Sequence, residues 1–255
     1  MTEEAIRVAA GPAVREPVDL MAAPRIPVRS IVVDFDGTIC PVDVSDAIMD
    51  AFVGPLAREL DLEYERGEIG SRENLVRIGS RIDAGPGEVL SWALAHHRVD
   101  PTFPLFVEWS RSVGLELTVV SDGLGLHVEP MLEAAGVFGL PVISNRFAAG
   151  RGPARLEFPA GHPECRECGT CKMLAVTAIR RLGPVAYAGD GHSDRYGALY
   201  SDLVFAKGYL VVLCRSDGIP FVPWATFDDV REKLEEMEPS DLPGPVNPKR
   251  CPGWR

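Results

Sequence analysis

Two carboxylates close a short apolar run near the start of the chain. Residues 30–38, SIVVDFDGT, place Asp34 and Asp36 directly after a β-branched, strand-like segment. Alternate side chains of an extended segment share one side, so both carboxylates face the same pocket. Carboxylates this close repel each other unless a proton or a hard cation lies between them, and oxygen ligands of this kind suit Mg²⁺. The spacing therefore predicts a catalytic metal site at the end of a strand, against the alternative of an Asp-Gly turn that only closes the strand.

Polar residues also follow two later apolar runs. The run LTVV is followed by Ser121, where a hydroxyl and free backbone amides at a turn into a helix would bind an anion. The run VAYAG is followed by Asp190 and Asp194, a second acidic strand end. Lys172 lies between these runs, begins a helical pattern and is long enough to reach a phosphate. Taken singly, these residues are explained as a helix cap, first-turn acids and a surface lysine.

Taken in order, the motif residues indicate a family. Asp34 and Asp36, Ser121, Lys172, and the pair Asp190 and Asp194 resemble the four motifs of the haloacid dehalogenase superfamily, which is dominated by phosphatases, over roughly residues 30–237. The resemblance implies that Asp34 is the nucleophile and forms an aspartyl-phosphate. It implies that Asp36 protonates the leaving alcohol and then activates water. Because displacement of halide needs no such acid, Asp36 favours a phosphatase over a dehalogenase.

The same resemblance implies how the site handles metal and phosphate. Mg²⁺ would be held by the carboxylates of Asp34 and Asp190 and by the backbone carbonyl of Asp36, with Asp194 orienting that shell from behind. The phosphoryl oxygens would be neutralised by groups from two motifs, namely Ser121, the amides of Asp122 and Gly123, and Lys172. Unassisted hydrolysis of phosphate monoesters is very slow, so a site rich in preorganised charge fits this reaction.

Two further segments narrow the resemblance within the superfamily. A thiol-rich stretch leads into Lys172, and the run DLVFAK follows at residues 202–207. These segments resemble phosphoserine phosphatase-like members with a small helical cap, and the methionine-salvage branch that acts on a hydroxy-keto-methylthiopentenyl phosphate. The implied substrate is a small phosphorylated metabolite. Two alternatives stay open: a phosphotransferase or mutase that excludes water from the same intermediate, and a non-catalytic, thiol-sensing regulatory protein, which the presence of both motif aspartates disfavours.

The thiol-rich stretch allows three interpretations. His162, Cys165, Cys168 and Cys171 lie close together in the sequence. One imidazole and three thiols can close a tetrahedral Zn²⁺ site, although such tight spacing leaves little chain to wrap a metal. The thiols can instead form a disulfide or redox pair, which a cytoplasmic setting disfavours as a permanent bond, or they can stay free. A structural zinc, a redox pair and free thiols all remain open.

Charged residues in a predicted helical insert are candidates for substrate recognition, because an insert after the first motif acts as a lid in this superfamily. Asp43 occupies the position where phosphoserine phosphatase-like enzymes carry an acid that meets the substrate's amine, and a helix cap is the alternative. Arg72, Arg77 and Arg81 lie on one predicted helix and are candidates for a substrate carboxylate or another anion. Solvated side chains on an amphipathic helix are the alternative for these arginines.

Helical and strand patterns alternate around the motifs. This alternation predicts an α/β fold, a Rossmann-like core with a parallel sheet and helices on both faces, plus an inserted helical cap. We expect a loose extension over 1–28, a core over 29–40 and 101–237, a cap over 41–100 and an extended tail over 238–255. The predicted helices are Val44–Leu60, Ser71–Ile82, Pro86–His97, Phe103–Val113, Leu126–Ala135 and Met173–Arg181, and the later predicted strands are Glu116–Val120, Val142–Ser144, Val185–Ala188 and Leu203–Ala206.

Composition argues against several other classes. A formal net charge of −11 over 255 residues, with no block of Lys or Arg, argues against a nucleic-acid partner. No apolar run approaches the length that spans a bilayer, and the first residues lack a basic-then-apolar signal pattern. We therefore expect a cytoplasmic enzyme with no membrane partner, and a monomer and a homodimer both fit the sequence.

Overall fold

A six-stranded parallel sheet forms the centre of the fold. The computed structural model describes residues 26–148 and 155–246. The strands are β1 (Ser30–Val33), β2 (Glu116–Ser121), β3 (Val142–Ser144), β4 (Arg146–Ala148), β5 (Arg155–Glu157), β6 (Val185–Gly189), β7 (Leu203–Ala206) and β8 (Val222–Pro223). The sheet order is β3-β2-β1-β6-β7-β8, and a separate antiparallel pair joins β4 to β5. The predicted α/β class with a parallel sheet is confirmed.

Helices occupy the connections between the strands. The helices are α1 (Val44–Phe52), α2 (Pro55–Glu65), α3 (Ser71–Gly79), α4 (Pro86–His96), α5 (Thr102–Ser112), α6 (Val128–Ala134), α7 (Lys172–Arg180), α8 (Arg195–Leu199), α9 (Leu210–Asp217) and α10 (Phe227–Glu236). Short 3₁₀ turns lie at His192–Asp194 and Pro239–Asp241. Helices α1 to α4 lie between β1 and β2 in the chain, where the sequence predicts the helical insert.

Alternating side chains build a core on each face of the sheet. In β1, Ile31 and Val33 belong to one apolar cluster and Val32 to the other, and all three are fully buried. The first cluster includes α5, α6 and α10, where the rings of Phe103 and Phe227 lie 4.8 Å apart. The second cluster includes α7, α8 and α9. With both faces covered, the carboxyl ends of the strands form the edge at which ligands bind in this class of fold.

Parallel pairing brings the motif residues to that edge. Val33, the last residue of β1, is in register with Val119 of β2 and Ala188 of β6. Asp34 and Asp190 lie just beyond β1 and β6, and these two strands are neighbours in the sheet. The central position of β1 therefore sets the first motif between the other two strand ends.

One predicted helix is two helices in the structure. The apolar pattern predicts a single helix over Val44–Leu60, but α1 ends at Phe52 and α2 begins at Pro55. Gly54 has φ +74°, outside the helical region, and Pro55 lacks the N–H that a continuing helix needs. Proline is well suited to the first position of a new helix, where no internal partner exists for an N–H. The single-helix prediction is wrong because the apolar periodicity continues through a break that the Gly-Pro pair makes in the backbone.

Some elements lie outside the predicted set. The β4–β5 pair and β8 are strands of two or three residues, too short for alternation to be visible in the sequence. Helices α8, α9 and α10 are also not predicted, although Phe227, Val230 and Leu234 of α10 are buried at helical spacing. The remaining helices and strands begin and end within a few residues of their expected bounds.

The two ends of the chain lie mostly outside the described residues. The predicted loose extension, 1–28, lies outside them up to residue 25, and the predicted tail, 238–255, lies outside them from residue 247. In the part of the tail that is described, Pro239–Asp241 forms a 3₁₀ turn. Over the two described stretches, no helix combines the length and the apolar character needed to cross a membrane.

Candidate active site

Asp34 and Asp190 lie together at the carboxyl edge of the sheet. Asp34 is buried after β1, and its backbone N–H donates to the carbonyl of Ala188 at 3.0 Å. Asp190 follows β6, and its Oδ1 accepts a hydrogen bond from Thr38 Oγ1 at 2.6 Å. Gly37 makes this approach possible because it has φ +74° and because a Cβ there would overlap with the Asp190 carboxylate. The turn at Gly37 and Thr38, directly after the first motif, is thus packed against the carboxylate of Asp190.

Lys172 compensates the charge of two buried acids. Its Nζ lies 2.6 Å from Asp34 Oδ1, 2.6 Å from Asp194 Oδ1 and 2.8 Å from Ser193 Oγ. The three charged side chains are 2% (Lys172), 6% (Asp34) and 0% (Asp194) exposed. Charges buried this deeply need a partner, and the ammonium group of Lys172 provides one for both carboxylates. The interpretation of Lys172 as a solvated surface lysine does not hold.

Asp194 holds the loop that carries Asp190. Its Oδ2 accepts the backbone N–H groups of Asp190 and Gly191, at 2.9 Å and 2.8 Å. Its Oδ1 accepts hydrogen bonds from Lys172 Nζ and from the Tyr187 hydroxyl. Four donors use the lone-pair sites that a carboxylate offers. Asp194 is therefore better suited to orient Asp190 than to bind a metal ion itself.

Burial and mutual repulsion shift the pKa values of these groups. Burial raises the pKa of Asp34 well above its ordinary value, Asp194 raises it further, and Lys172 opposes both. Burial, with Asp194 next, raises the pKa of Asp190 to about 6. Burial lowers the pKa of Lys172, but the carboxylates of Asp194 and Asp34 outweigh it and raise that pKa well above its ordinary value. A divalent cation would relieve the repulsion among the acids.

The donor set of this acidic cluster fits a magnesium ion. Oxygens of Asp34, Asp190 and Asp194 lie within 4.8 Å of one another, and within the described residues this is the single group able to hold a metal. The hydrogen bonds given above use one oxygen each of Asp34 and Asp190, which leaves the other oxygen for a ligand. Negatively charged oxygen donors are what Mg²⁺ prefers. The carboxylate of Asp36 is outside the cluster, so of the predicted ligands Asp36 can contribute its backbone carbonyl alone.

Asp36 is held by donors from both the insert and the core. Its Oδ1 accepts the Val44 N–H at 3.1 Å and lies 3.0 Å from His127 Nε2. Its Oδ2 accepts the hydroxyl of Ser45 at 3.2 Å and that of Ser121 at 3.4 Å. Burial raises the pKa of Asp36, but His127 and the hydrogen bonds of Val44 and Ser45 together outweigh burial and lower it. Since Val44 and Ser45 begin α1, this carboxylate joins the helical insert to the sheet edge.

The predicted anion-binding turn is a loop and not the start of a helix. Ser121 ends β2, and α6 begins only at Val128. The N–H of Gly123 donates to Ser121 Oγ at 3.1 Å, and a Cβ at Gly123 would overlap with Asp36. The expectation of a helix terminus at this position is therefore wrong. A serine hydroxyl and loop amides packed against Asp36 stand in its place.

The side chain of Asp122 connects the insert to the core. Its Oδ2 accepts the Ser71 hydroxyl of α3 at 2.6 Å, and its Oδ1 accepts the Thr170 N–H at 2.6 Å. Asn145 Nδ2 donates to the carbonyls of Asp122 and Gly123, at 3.1 Å and 2.8 Å, which fixes the loop between them. Of this residue, only the backbone amide is therefore available for the predicted phosphate contact, because its carboxylate ties α3 to the segment before α7.

Asp43 both caps a helix and lies near other acids. Its Oδ1 accepts the Asp46 N–H at 2.8 Å, so it is the cap of α1. Desolvation, followed by the carboxylates of Asp46 and Asp36, raises the pKa of Asp43 well above its ordinary value, although the residue is exposed. The helix-cap interpretation is confirmed, and the acidic surroundings leave a contact with a substrate as a prediction.

The three candidate arginines have protein partners. Arg72 Nε donates to the Cys168 carbonyl at 3.0 Å, and its guanidinium lies 5.0 Å from the centre of the Phe158 ring. Arg77 forms ion pairs with two glutamates on the surface, and Arg81 donates to the carbonyl of Arg77. These contacts account for the guanidinium groups without a substrate anion.

The thiol-rich loop contains neither of the cross-links considered for it. Within the described residues, metal-ligand atoms gather only in the acidic cluster, so His162, Cys165, Cys168 and Cys171 do not enclose a metal. His162 Nδ1 instead accepts the N–H groups of Glu164 and Cys165, both at 3.1 Å. Cys165 and Cys171 are free thiols, and burial raises the pKa of Cys171. The structure thus gives no support to a zinc site, because the ligand atoms of these four residues do not gather around one point.

Several residues of the site are absent from the sequence predictions. Thr38, His127 and Tyr187 each contact a motif aspartate, and Asn145 orders the loop after β2. Thr38, His127 and Tyr187 lie within a few residues of a motif residue and are buried. A polar side chain beside a motif is therefore the signal that could have found them. Asn145 offers no such signal.

The parallel sheet and its acidic edge define a class of protein. Residues 31–198 match the family described as haloacid dehalogenase-like hydrolase, and the chain belongs to this family.

Particular relatives are more informative about the branch. The chain is 31% identical to the 2-hydroxy-3-keto-5-methylthiopentenyl-1-phosphate phosphatase of Geobacillus kaustophilus, over 80% of this chain and 94% of the relative. It is 27% identical to the phosphatase of the same name from Brevibacillus brevis, over the same shares. A solved structure, a phospho-aspartyl intermediate analogue of phosphoserine phosphatase, shares the fold with a TM-score of 0.63 at 17% identity, over 80% of this chain and 98% of that one. The predicted resemblance to the methionine-salvage phosphatases is confirmed, and the predicted resemblance to phosphoserine phosphatase is confirmed for the fold.

Proposed function

We propose that the chain is a Mg²⁺-dependent phosphatase that hydrolyses a small phosphorylated metabolite through an aspartyl-phosphate on Asp34. The position of Asp34 carries this proposal: a buried carboxylate at the sheet edge, 2.6 Å from Lys172 Nζ and clustered with Asp190. A nucleophilic carboxylate must have its charge compensated before an anionic phosphate can approach, and this cluster supplies such compensation. Family membership and the named activity of the relatives support the same reaction.

The proposed reaction has two steps that share one acid and base. In the first, an oxygen of Asp34 attacks phosphorus while Asp36 gives a proton to the leaving alcohol. In the second, Asp36 takes a proton from a water molecule that attacks phosphorus and releases Asp34. Lys172, the hydroxyl of Ser121 and the amide of Asp122 neutralise charge on the phosphoryl oxygens, whereas the Gly123 N–H donates to Ser121 Oγ.

The metal site and the insert complete this proposal. Asp34, Asp190 and the Asp36 carbonyl are the groups that would hold Mg²⁺, which supplies charge neutralisation at the phosphoryl oxygens when bound. Asp194 and Thr38 keep Asp190 in place through the hydrogen bonds described above. We also propose that residues 41–100 form the cap over a core of 29–40 and 101–237. The contacts of α1 with Asp36 and of α3 with the loop after β2 support a cap that lies against the site.

For the substrate, we propose a phosphate ester whose leaving group carries no negative charge. Phosphoserine has a carboxylate, which a cationic side chain of the insert would have to meet. Arg72 and Arg77 are already bound to protein groups, and Asp43, at the start of α1, lies near the acids Asp46 and Asp36. The relatives' substrate, 2-hydroxy-3-keto-5-methylthiopentenyl-1-phosphate, bears uncharged hydroxyl, keto and methylthio groups and fits this environment.

Phosphate release with and without Mg²⁺ tests the reaction. The panel contains the methylthiopentenyl ester, phosphoserine and an aryl phosphate. We expect metal-dependent release, fastest with the methylthiopentenyl ester, and a loss of more than about 10³-fold in Asp34→Asn. Asp228→Asn, which removes an exposed carboxylate from the first turn of α10, is the control and should keep full activity.

Each part of the proposal has its own contrary result. Undiminished release by Asp34→Asn would remove the nucleophile assignment. A preference for phosphoserine would remove the choice of an uncharged leaving group. Transfer of the phosphoryl group to an alcohol, with no free phosphate formed, would identify a phosphotransferase.

A further inference from the structure

His127 is a buried histidine that makes a polar contact with Asp36. Its ring has no exposed surface, lies at the start of α6, and has its centroid 5.5 Å from that of Phe35. Nε2 lies 3.0 Å from Asp36 Oδ1. Nδ1 has no hydrogen-bond partner among the residues that the structure describes. The contact with Asp36 is thus the polar interaction that distinguishes this side chain from a phenylalanine.

The unpartnered nitrogen indicates which nitrogen carries the hydrogen. A buried N–H without an acceptor is rarer and costlier than a buried lone pair without a donor. The tautomer that carries its hydrogen on Nε2 therefore suits this environment. In that tautomer, His127 Nε2 donates to Asp36 Oδ1.

This donation makes the two oxygens of Asp36 unequal. Oδ1 accepts hydrogen bonds from both His127 Nε2 and the Val44 N–H, which occupy its lone pairs. Oδ2 accepts hydrogen bonds from two hydroxyl groups, Ser45 Oγ at 3.2 Å and Ser121 Oγ at 3.4 Å, and a hydroxyl can accept as well as donate. A proton carried by Asp36 is therefore accommodated on Oδ2, the oxygen beside Ser121.

We propose that His127 is a positioning residue that anchors Oδ1 of Asp36 and leaves Oδ2 to transfer the proton. This inference rests on the proposed phosphatase function. As the bond from phosphorus to the leaving oxygen breaks and the bond to Asp34 forms, the proton passes from Oδ2 to the leaving oxygen. Water then attacks phosphorus and gives a proton to Oδ2, and the bond from Asp34 to phosphorus breaks to release inorganic phosphate.

The dependence on the leaving group separates positioning from packing. His127→Phe keeps a ring of similar shape and removes the Nε2 donor. We expect kcat/KM to fall about 10²-fold for an alkyl phosphate, whose leaving oxygen must be protonated, and less than about threefold for 4-nitrophenyl phosphate, whose leaving group departs as an anion. The ratio kcat/KM is informative because it reports the steps up to phosphorylation of Asp34, before water attacks. An equal fall for both esters would overturn the proposal.

A pair of amide variants keeps the test decisive if the phenylalanine variant does not fold. In His127→Gln the side-chain amide extends as far as Nε2 of histidine, whereas in His127→Asn it extends only as far as Nδ1. We expect His127→Gln to stay within about tenfold of the wild type with the alkyl phosphate, and His127→Asn to be as impaired as His127→Phe. Equal rates in the two amide variants would mean that the N–H donor to Asp36 is not what matters.

A measurement on the resting wild-type protein does not depend on turnover. Nitrogen-15 NMR of the labelled histidines identifies which ring nitrogen of His127 is protonated, and Asp36→Asn assigns the signal through the change at its partner. We expect hydrogen on Nε2, and hydrogen on Nδ1 would overturn the proposal. Failure of the proposed function would appear differently, as absence of Mg²⁺-dependent phosphate release in the wild type.

Discussion

Lys172→Met should reveal how much free energy depends on compensating two buried carboxylates. The wild-type ammonium lies 2.6 Å from both Asp34 and Asp194, whose side chains are 6% and 0% exposed. Removing one partner of a buried ion pair costs about 3–5 kcal/mol, because the remaining charge stays buried. Methionine is flexible and of similar length, so little packing is lost. Near neutral pH and without Mg²⁺, we expect the free energy of unfolding to fall by about 3–5 kcal/mol.

The free energy of unfolding that Lys172→Met loses should be smaller in acid than at neutral pH. Burial first, and Asp194 next, already raise the pKa of Asp34 above its ordinary 3.8, and removal of Lys172 raises it further. Between the ordinary value and the raised one, the folded variant binds more protons than the unfolded chain, so its stability increases as the pH falls through that window. From neutral pH to about pH 5, we expect the difference from the wild type to narrow by about 1 kcal/mol or more.

Urea unfolding followed by circular dichroism measures both effects. Lys233→Met is the matched control, because Lys233 lies 3.5 Å from Glu236 with side chains 40% and 70% exposed, and its loss should be below about 0.5 kcal/mol. The double variant Asp34→Asn/Lys172→Met removes one of the uncompensated charges and should recover part of the loss. A Lys172→Met effect below about 1 kcal/mol, or one that does not change with pH, would refute the reasoning from buried charge.

Three further substitutions probe other contacts. Gly37→Ala should weaken Mg²⁺ binding in isothermal titration by about tenfold or more, because the new Cβ overlaps the Asp190 carboxylate at φ +74°; equal affinity would contradict that contact. Ser71→Ala leaves the buried Asp122 without a donor 2.6 Å away and should lower the free energy of urea unfolding by about 1–3 kcal/mol, whereas a neutral effect would show that the hydroxyl is replaceable. Backbone hydrogen bonds lower the pKa of Asp229 in the folded protein below its ordinary value of 3.8. The wild type therefore has a stabilisation above pH 3.8 that it loses as the pH falls through the lowered pKa, and Asp229→Asn should lack that stabilisation. Because Asp229 is exposed, screening limits this difference to about 0.5 kcal/mol, and thermal unfolding on either side of that window should show it only at the higher pH.

The residues at the carboxyl edge of the sheet were predictable from the sequence. Strand patterns locate them, and parallel strands bring their carboxyl ends to one edge. A β-branched run that ends in Asp34 is recognisable from composition, and parallel strands place their carboxyl ends together. The same rule brings Asp190 to Asp34 without any knowledge of side-chain contacts. The break between α1 and α2 was also available, since Gly54 and Pro55 are an explicit signal, but apolar periodicity alone does not report it.

The finer contacts were not predictable because they join distant residues through side-chain geometry. His127 reaches Asp36 across 91 positions of sequence, and nothing near either residue specifies that pairing. Arg72 illustrates the converse, because a charged helix residue that suits an anion in sequence has a carbonyl and an aromatic ring as its partners in the structure. Helix α6 begins at Val128, two residues after the predicted Leu126, and the loop between Ser121 and α6 packs against Asp36, which local propensity does not report.

Hydrogen bonds attach α3 of the insert to the thiol-rich loop that precedes Lys172. The Arg72 N–H donates to the Glu167 carbonyl at 3.1 Å, and Ser71 is bonded to Asp122, which in turn accepts the Thr170 N–H. That loop continues directly into Lys172. The insert is therefore coupled to Lys172, since a displacement of α3 would be transmitted through this loop to the residue that compensates the charge of Asp34. A movement of α3 on binding a ligand would therefore also change the surroundings of the Asp34 carboxylate.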